Sequence, residues 1–294
     1  MKTGLKLRFW IFVALFVTTA CSAYIAVKEG RGEKLTVAFL DVGQGDAIFI
    51  ESPNGNQMLL DAGPGKSVLR ELSKIMPFYD RSIDVLLATH PDADHIGGMP
   101  DVLEKYKVSL FLEPGVEGDT SLYKELELQI EKRESQGKIE KLEARRGMVV
   151  DLGSGAILEI LFPAIDPEGM ETNTASIVAR LVYGASEFLL TGDSPSNIED
   201  YLVSQNCTET NCAFGLDADV LKAGHHGSKT STSREFVSTV SPEYAIISAG
   251  KDNRYGHPHP EVLETLTTTG AKILRTDTSG RIIFESDGVN LEVR

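Results

Sequence analysis

The sequence predicts an α/β fold, in which short apolar strands alternate with helices along most of the chain. From Leu35 onward, runs rich in branched and aromatic residues alternate with segments whose apolar residues recur at helical spacing. In addition, the arrangement of residues 57–98 returns in residues 187–231. In each segment an apolar strand ends in an aspartate, a helix intervenes, and a second apolar strand ends in a histidine-rich loop.

The composition is that of a globular protein with an acidic surface. The chain has 294 residues, of which 41% are hydrophobic and 24% charged, and its formal net charge is −14. This charge argues against a protein that grips long nucleic acid through a broad basic face. An anionic substrate would need a local basic patch or a bound metal ion.

The N-terminus is distinct from the rest of the chain. Three basic residues precede the apolar run of residues 9–27, a pattern typical of an export signal or a membrane anchor. We therefore expect residues 1–27 to be a signal peptide or anchor and residues 28–34 to be a linker. Cleavage, lipid attachment at Cys21 and retention in the membrane stay open, and all three place the remaining chain outside the cytoplasm.

Two further cysteines are compatible with that compartment. Cys207 and Cys212 lie in the polar segment NCTETNC. A small loop closed by a disulfide is one interpretation, because disulfides persist in oxidising compartments. Two unrelated reduced cysteines are the other interpretation, and the sequence does not decide between them.

Residues 35–294 form the main predicted domain. Its predicted strands cover residues 35–42, 46–52, 57–63, 83–89, 156–163, 175–184, 186–193, 217–224, 244–250 and, as a hairpin-like pair, 271–294. Its predicted helices cover residues 66–76, 97–107, 198–205, 233–240 and 260–270. Residues 117–147 are charged and contain little strand signal, so we expect them to form a surface insertion.

The loop after the strand at 83–89 carries four potential metal ligands within six positions, His90, Asp92, Asp94 and His95. His90 and Asp92 are two residues apart and can share one ion, whereas Asp94 and His95 can turn toward a second. A divalent cation removes the repulsion between the two carboxylates. Helix capping would explain one of the aspartates, but not all four side chains. The loop therefore predicts metal binding.

The second half of the chain supplies partners for this loop. Asp193 ends the strand at 186–193, and the pair His225–His226 follows the strand at 217–224. If the two halves are equivalent βα units, both histidine-rich loops lie at one rim of the sheets. We therefore expect the two loops to form a single site.

These motifs resemble those of the metallo-β-lactamase superfamily of hydrolases. In particular, the sequence resembles the extracytoplasmic hydrolase domain at the C-terminus of ComEC-type competence proteins. The resemblance runs from Leu35 to the C-terminus. It is carried, in this order, by FLDVGQGDAIFIESPNGNQMLLDAG, THPDADHIGG, FLLTGD, ADVLKAGHHGSKTS and YGHPHPEVL. It implies a four-layer αβ/βα sandwich with a two-metal site on the edge of the sheets.

The resemblance also implies a set of metal ligands, which are His90, Asp92, Asp94, His95, Asp193 and His226. The first two serve one divalent ion, the next two serve a second ion together with a histidine of the 225/226 pair, and Asp193 bridges both. We prefer His226 as the ligand and His225 as a substrate-facing or proton-handling residue, although the sequence leaves their order open.

Other residues are assigned roles around these ligands. Asp61 and Asp46 are predicted to orient the ligand loops. The predicted catalytic residues are Asp94, His225, Lys229 and His257, the last three as candidate proton donors to the leaving group. The predicted substrate contacts are Ser228, Thr230 and Arg254, whose hydroxyl and guanidinium groups suit phosphate. His259 is expected to serve only a proline-flanked turn.

The sequence departs from the superfamily pattern H-x-H-x-D-H at two points. Asp92 stands at the second histidine, and the separate third-motif histidine has no counterpart, since the matching region, residues 172–176, reads TNTAS. One ion site is therefore richer in oxygen ligands and less complete. Hard oxygen ligands suit hard ions such as Mn²⁺. The predicted cofactor is therefore a pair of divalent ions, either Zn²⁺ or Mn²⁺.

Phosphodiester hydrolysis is the predicted reaction, and the resemblance implies DNA as the substrate, in uptake or in scavenging. A separate DNA-uptake channel is a possible partner, and the membrane is a second one if the N-terminus is retained. An exported phosphodiesterase that acts on a small or cell-wall diester such as phosphocholine is the first alternative, which the acidic charge favours. A metal-stabilised DNA-binding module without turnover is the second. The oligomeric state is left open.

Overall fold

The computed structural model describes residues 34–206 and 215–294, together with Lys6, residues 8–19 and Ser22. The predicted lipidation site at Cys21, the predicted Cys207–Cys212 pair and residues 28–33 of the linker lie outside the described residues. Residues 8–19 are helical, and most of their large apolar side chains are exposed. Within the described parts of the chain, no helix combines the length and the apolar character needed to cross a bilayer.

The strands, in chain order, are β1 (Leu35–Phe39), β2 (Ile48–Glu51), β3 (Gln57–Leu60), β4 (Ser82–Leu87), β5 (Lys107–Glu113), β6 (Glu140–Glu143), β7 (Val149–Gly153), β8 (Ala156–Phe162), β9 (Val178–Tyr183), β10 (Ser186–Leu190), β11 (Val220–Lys222), β12 (Tyr244–Ile247), β13 (Lys272–Arg275), β14 (Ile282–Ser286) and β15 (Leu291–Val293). The helices from β1 onward, in chain order, are α1 (Ser67–Ile75), α2 (Ala93–Ile96), α3 (Met99–Lys105), α4 (Ser121–Glu134), α5 (Ser196–Gln205), α6 (Arg234–Val240), α7 (Pro260–Thr268) and α8 (Thr276–Ser279).

The strands form two mixed sheets of similar design. The first has the order β15-β14-β1-β2-β3-β4-β5-β6, and the second has the order β13-β12-β11-β10-β9-β8-β7. In the first sheet β3, β4, β5 and β6 run parallel, and in the second β10, β11, β12 and β13 do. The carboxyl ends of parallel strands meet at one edge of a sheet, which is where such folds place their sites.

The core has three apolar layers. Between the sheets, Phe284 packs edge to face against Phe39 and Phe188, at ring-centroid distances of 6.1 and 5.8 Å. The outer face of the first sheet is covered by α1, α3 and α4, and that of the second by α5, α6 and α7. Aromatic pairs in this geometry add to the energy of burial. The predicted four-layer αβ/βα sandwich is thereby confirmed.

The structure differs from the sequence prediction in three segments. Residues 117–147 supply α4, whose Leu126 and Ile130 are buried, and the edge strand β6, so they belong to the first sheet and its helix layer. The strands β5 and β7 lie outside the predicted set. The C-terminal segment is divided, because β13 joins the second sheet while β14 and β15 join the first. Pairing between distant strands decides these assignments, and local sequence patterns do not encode it.

Candidate metal centre

Side chains from the ends of four strands converge at one edge of the sandwich. Asp61 follows β3, His90 to His95 follow β4, Asp193 lies three residues after β10, and His226 follows β11. The Nε2 atoms of His95 and His226 are 3.3 Å apart. The two histidine-rich loops therefore lie next to each other in the structure.

The backbone at these strand ends turns sharply to aim the side chains. Asp61, His225 and His226 have left-handed φ values of 57°, 48° and 57°, which non-glycine residues adopt infrequently and mainly at functional sites. Gly45 allows the GQG loop to approach the ligand loop, since a Cβ atom at Gly45 would lie 2.0 Å from the carbonyl oxygen of Asp94.

The inner part of the site consists of four buried side chains, Asp46, His95, Asp193 and His226, whose candidate ligand atoms all lie within 4.8 Å of one another. Asp193 is central, because its Oδ2 lies 3.3 Å from His95 Nε2 and 3.4 Å from His226 Nε2. Its Oδ1 is buried and has no hydrogen-bond partner among the described residues. A buried carboxylate oxygen left free beside two imidazoles suits a cation, so the cluster is compatible with a divalent metal ion.

Asp94 lies at the rim of this cluster, with its Oδ2 3.5 Å from His226 Nε2. Its side chain is partly exposed, unlike the four inner residues. It therefore faces both the cluster and the solvent side of the site.

The other part of the site holds fewer ligands. The Nε2 atom of His90 is buried, without a hydrogen-bond partner in the described chain, and lies 3.8 Å from Asp92 Oδ2 and 4.0 Å from Asp193 Oδ2. These three potential ligands surround a second position at which a cation would satisfy His90.

Asp61 holds the ligand loop from outside the cluster. Its carboxylate accepts hydrogen bonds from the backbone N–H of Thr89 at 2.8 Å and from the Thr89 hydroxyl at 2.7 Å, and it lies 2.7 Å from His95 Nδ1. A carboxylate at Nδ1 fixes the ring so that Nε2 faces the cluster. This geometry supports the predicted orienting role of Asp61.

A buried lysine lies beside the cluster and was not among the site residues predicted from the sequence. Lys222 is fully buried, and its Nζ lies 2.6 Å from Asp46 Oδ2. The other oxygen of Asp46 lies 3.4 Å from His226 Nδ1, which also lies 2.9 Å from the carbonyl oxygen of Ser248. Asp46 thus links Lys222 to His226. The available signal was a lysine inside the apolar run DVLKAG, which a buried strand tolerates only when the charge is paired.

Burial and mutual charge set the protonation of this centre. Burial opposes ionisation of Asp193, but the charges of His226 and His95 overcome it and hold the pKa of Asp193 well below its usual value. Burial would lower the pKa of His226, yet Asp193 and Asp46 raise it to about 9. For His90, burial dominates and lowers the pKa to about 3. A cation bound between Asp193 and His226 would take the place of the proton on His226, because a ligating imidazole nitrogen must be deprotonated.

The turn after β11 presents the predicted substrate-facing groups. His225 is partly exposed, and its Nε2 lies 3.6 Å from Asp193 Oδ2. Its Nδ1 is 3.2 Å from the hydroxyl of Thr230, which is 3.0 Å from the hydroxyl of Ser228. Lys229 is exposed on the same turn. The burial of His226 and the exposure of His225 agree with the preferred order of the pair.

The segment 250–259 forms the opposite wall of the site. The His257 ring lies 5.7 Å from the His225 ring and 6.5 Å from the His226 ring, between centroids. Arg254 is exposed and lies against Tyr255, a residue that the sequence analysis did not select. His259 precedes α7, with its Nδ1 3.3 Å from the carbonyl oxygen of Gly256, in agreement with the expected turn role.

Comparison with known proteins agrees with this geometry. Residues 40–251 match the metallo-beta-lactamase superfamily. The chain is 34% identical over 268 residues to "ComE operon protein 3" of Bacillus subtilis (strain 168), a match that covers 84% of this chain and 32% of that protein. It is 31% identical over 290 residues to "Competence protein ComA" of Neisseria gonorrhoeae, covering 97% of this chain and 36% of that protein. The chain thus spans about a third of the length of these relatives.

A solved structure shares the fold. CmlA, described as a diiron beta-hydroxylase from Streptomyces venezuelae, superposes with a TM-score of 0.54 at 15% identity, covering 86% of this chain and 54% of that one. At this identity the likeness concerns the fold alone. The sequence match over residues 40–251, the sandwich and the histidine–aspartate cluster lead to one assignment. The chain belongs to the metallo-beta-lactamase superfamily and is related to ComEC-type competence proteins.

Proposed function

We propose that this protein is a two-metal phosphodiesterase that cleaves DNA outside the cytoplasm. The observation that carries the proposal is the geometry around Asp193. Its Oδ2 lies within 4.0 Å of nitrogen atoms of four histidines, His90, His95, His225 and His226, and its Oδ1 has no partner among the described residues. A carboxylate placed between two sets of imidazoles suits a ligand shared by two cations.

The chain offers an unequal set of ligands for the two ions. His95, His226 and Asp94 would hold one ion, His90 and Asp92 would hold the other, and Asp193 would bridge them. When bound, divalent ions lower the pKa of water and stabilise charge on phosphoryl oxygens. Zn²⁺ suits the first set of ligands, and Mn²⁺ suits the more oxygen-rich second set.

The residues around the ligands would bind and orient the substrate. The hydroxyls of Ser228 and Thr230 lie on the turn beside His225 and can donate hydrogen bonds to phosphate oxygens. His225 is the best placed of the three candidate proton donors, because it is partly exposed and lies beside Asp193. Burial and the neighbouring histidines lower the pKa of His257 to about 4, so its ring is neutral at pH 7 and suits proton acceptance. Lys229 suits a contact with the substrate anion.

The competence relatives favour DNA as the substrate and an extracytoplasmic site of action. The apolar N-terminal run would provide export or attachment to the membrane, and a separate channel would deliver the strand. The net charge of −14 favours instead a small or cell-wall diester, such as one bearing phosphocholine. The incomplete ligand set at His90 favours a third candidate, a DNA-binding module without turnover.

One assay separates the three candidates. The full chain is incubated with Mn²⁺ or Zn²⁺ and, in turn, with single-stranded DNA, double-stranded DNA and bis-p-nitrophenyl phosphate. We expect DNA cleavage that Asp94→Ala abolishes. The matched control is Asp101→Ala, which removes an acid from the first turn of α3 and should retain activity.

Each of the other possible results would indicate a different activity for this protein. Turnover of the small diester without cleavage of DNA identifies the small-substrate enzyme. DNA retardation without turnover under either metal identifies the binding module. DNA cleavage that persists in Asp94→Ala removes this site from the reaction.

A further inference from the structure

A cavity of about 450 Å³ opens beside the metal centre, and the proposed catalytic chemistry leaves it unassigned. One wall carries Gln44, Pro64 and Asp94, and the other carries Arg254 and Tyr255. Its size lies within the range of small-molecule sites. Because Asp94 is both a wall of the cavity and a neighbour of His226, a group bound in the cavity would lie next to the reacting phosphate.

The wall that carries Tyr255 is held in place by hydrogen bonds. Asn253 donates from its Nδ2 to the carbonyl oxygens of Gly250 at 2.9 Å and His257 at 2.6 Å. Its Oδ1 accepts from the backbone N–H groups of Tyr255 at 3.2 Å and His257 at 3.0 Å. Gly250 in turn donates its N–H to the side chain of Gln44 at 3.1 Å, which ties this wall to the opposite one. The cavity is therefore preorganised, which lowers the entropy cost of binding.

Tyr255 and Arg254 give this wall a particular chemistry. The Tyr255 ring is 49% exposed and lies nearly parallel to the His257 ring, at 23° and 5.7 Å between centroids. The Arg254 guanidinium carbon lies 4.9 Å from the Tyr255 ring centroid, and its Nη2 donates to the Tyr255 hydroxyl at 2.7 Å. An accessible aromatic ring with an adjacent cation suits a flat base attached to a phosphate.

This combination distinguishes between substrate classes. A small diester that bears phosphocholine would place its phosphate at Arg254 and its quaternary ammonium at the Tyr255 ring. The Arg254 guanidinium, 4.9 Å from that ring centroid, would repel the ammonium. A nucleobase would use both groups. A base inside a duplex is stacked on its neighbours and must leave the stack before it can enter a side cavity, which costs a few kcal/mol. A single strand offers its bases without that cost.

We infer that this cavity is a nucleoside subsite, in which Tyr255 stacks on a base next to the scissile phosphodiester and Arg254 contacts the adjoining phosphate. The inference rests on the proposed phosphodiesterase activity and makes it more specific. The substrate class is then a single-stranded nucleic acid, of which the cavity binds one unstacked base at a time.

The test compares a thymidine dinucleotide with the same diester in which one base is absent. The full chain with Mn²⁺ is assayed as wild type, Tyr255→Ala and Tyr255→Phe. Tyr79→Ala is the matched control, since Tyr79 is 50% exposed and lies in the turn before β4, whereas the ligand loop follows the other end of that strand. We expect Tyr255→Ala to lower kcat/KM for the base-bearing substrate about ten-fold through KM. The abasic substrate should change less than about two-fold, and Tyr255→Phe should resemble wild type, because stacking needs only the ring.

A second measurement is independent of turnover. Without added metal, the emission of a 2-aminopurine base in a short single strand reports stacking directly. Quenching by wild type and Tyr79→Ala that is lost in Tyr255→Ala supports the subsite, even if no diester is cleaved and the proposed activity fails. Equal kinetic losses on both dinucleotides, or quenching that survives in Tyr255→Ala, overturn the subsite while leaving the activity intact.

Discussion

The β3–β4 unit and the β10–β11 unit have the same topology, but their equivalent aspartates have different roles. Asp61 follows β3 and Asp193 follows β10, each beside a parallel strand that ends in a histidine loop. Asp61 makes three hydrogen-bond contacts with Thr89 and His95 and is fully used by the protein. Asp193 keeps a buried oxygen without a hydrogen-bond partner from the described parts of the chain, at the centre of the site. Topology thus places both carboxylates, and their immediate partners decide which of them binds a cation.

The second strands of the two units differ in a related way. The end of β4 is aliphatic, with Leu86 and Leu87 buried, whereas β11 ends in the buried Lys222. This lysine pairs with Asp46, which in turn contacts His226. In the first unit His95 is oriented by one carboxylate, and in the second His226 is oriented by a charged pair. The two units therefore support their histidines with different electrostatics.

The largest expected effect comes from the aspartate at the centre. Asp193→Asn keeps the shape but removes the charge between the histidines, so we expect kcat/KM to fall about 1,000-fold or more, since outer partners alone cost 10–100-fold. Metal content, measured by elemental analysis after dialysis, should fall with it. Asp217→Asn, at an exposed aspartate, should behave like wild type. Retention of full metal content in Asp193→Asn would contradict the bridging role.

The next effect concerns the lysine that only the second unit has. Lys222→Met leaves Asp46 buried without its cation, and removing one partner of a buried pair costs about 3–5 kcal/mol. We expect this loss in the free energy of unfolding, measured with urea. Lys272→Met is the control, because Lys272 is exposed and its surface pair with Glu243 contributes little. Equal losses in the two variants would mean that Lys222 does not stabilise the second unit.

A smaller effect is expected from the outer aspartate of the first unit. Asp61→Asn retains part of the contact with the loop but loses the charge beside His95, so we expect metal affinity to fall 10–100-fold. Competition with a chelator measures this affinity. Asp61→Asn should therefore lower metal affinity less than Asp193→Asn does. A loss as large as that of Asp193→Asn would make the two aspartates equivalent after all.

The smallest expected effect concerns the pH dependence of the unfolding free energy, and it comes from a residue outside the metal centre. Glu113 ends β5, the strand next to β4, and burial together with the charge of Glu127 raises its pKa to about 7, although Lys141 Nζ lies 2.7 Å away. The folded protein therefore binds more protons than the unfolded chain, whose glutamate has a pKa near 4.5. Stability from this group falls as the pH rises from about 4.5 to 7 and levels off above.

Glu113→Gln should remove that slope and change the difference in unfolding free energy between pH 5 and pH 8 by about 1–2 kcal/mol. Urea unfolding of the metal-free protein at both pH values measures it. Glu140→Gln, at an exposed position on β6, serves as the control. An unchanged slope in Glu113→Gln would assign the pH dependence to the metal centre instead.

Much of the fold followed from local patterns. Branched apolar runs marked most strands, including β3, β4, β10 and β11, and helical spacing marked α1, α3 and α5 to α7. The edge strand β6 was hidden in a charged segment, because only one side of an edge strand is paired and its four residues are mostly exposed. The division of the C-terminal segment between two sheets depended on contacts with distant strands, which no local pattern contains.

The sequence by itself determined which ligand atoms are available and that they stand at strand ends, because residue type and periodicity are local properties. Only the tertiary structure decided that Asp193 faces the cluster while Asp61 is hydrogen-bonded to Thr89 and His95 in the loop after β4. It also decided that Lys222 is buried against Asp46 and that Tyr255 borders the cavity. These roles depend on which group lies opposite each side chain. In this protein the opposite group comes from another strand or loop, so its identity exists only once the two sheets have packed together.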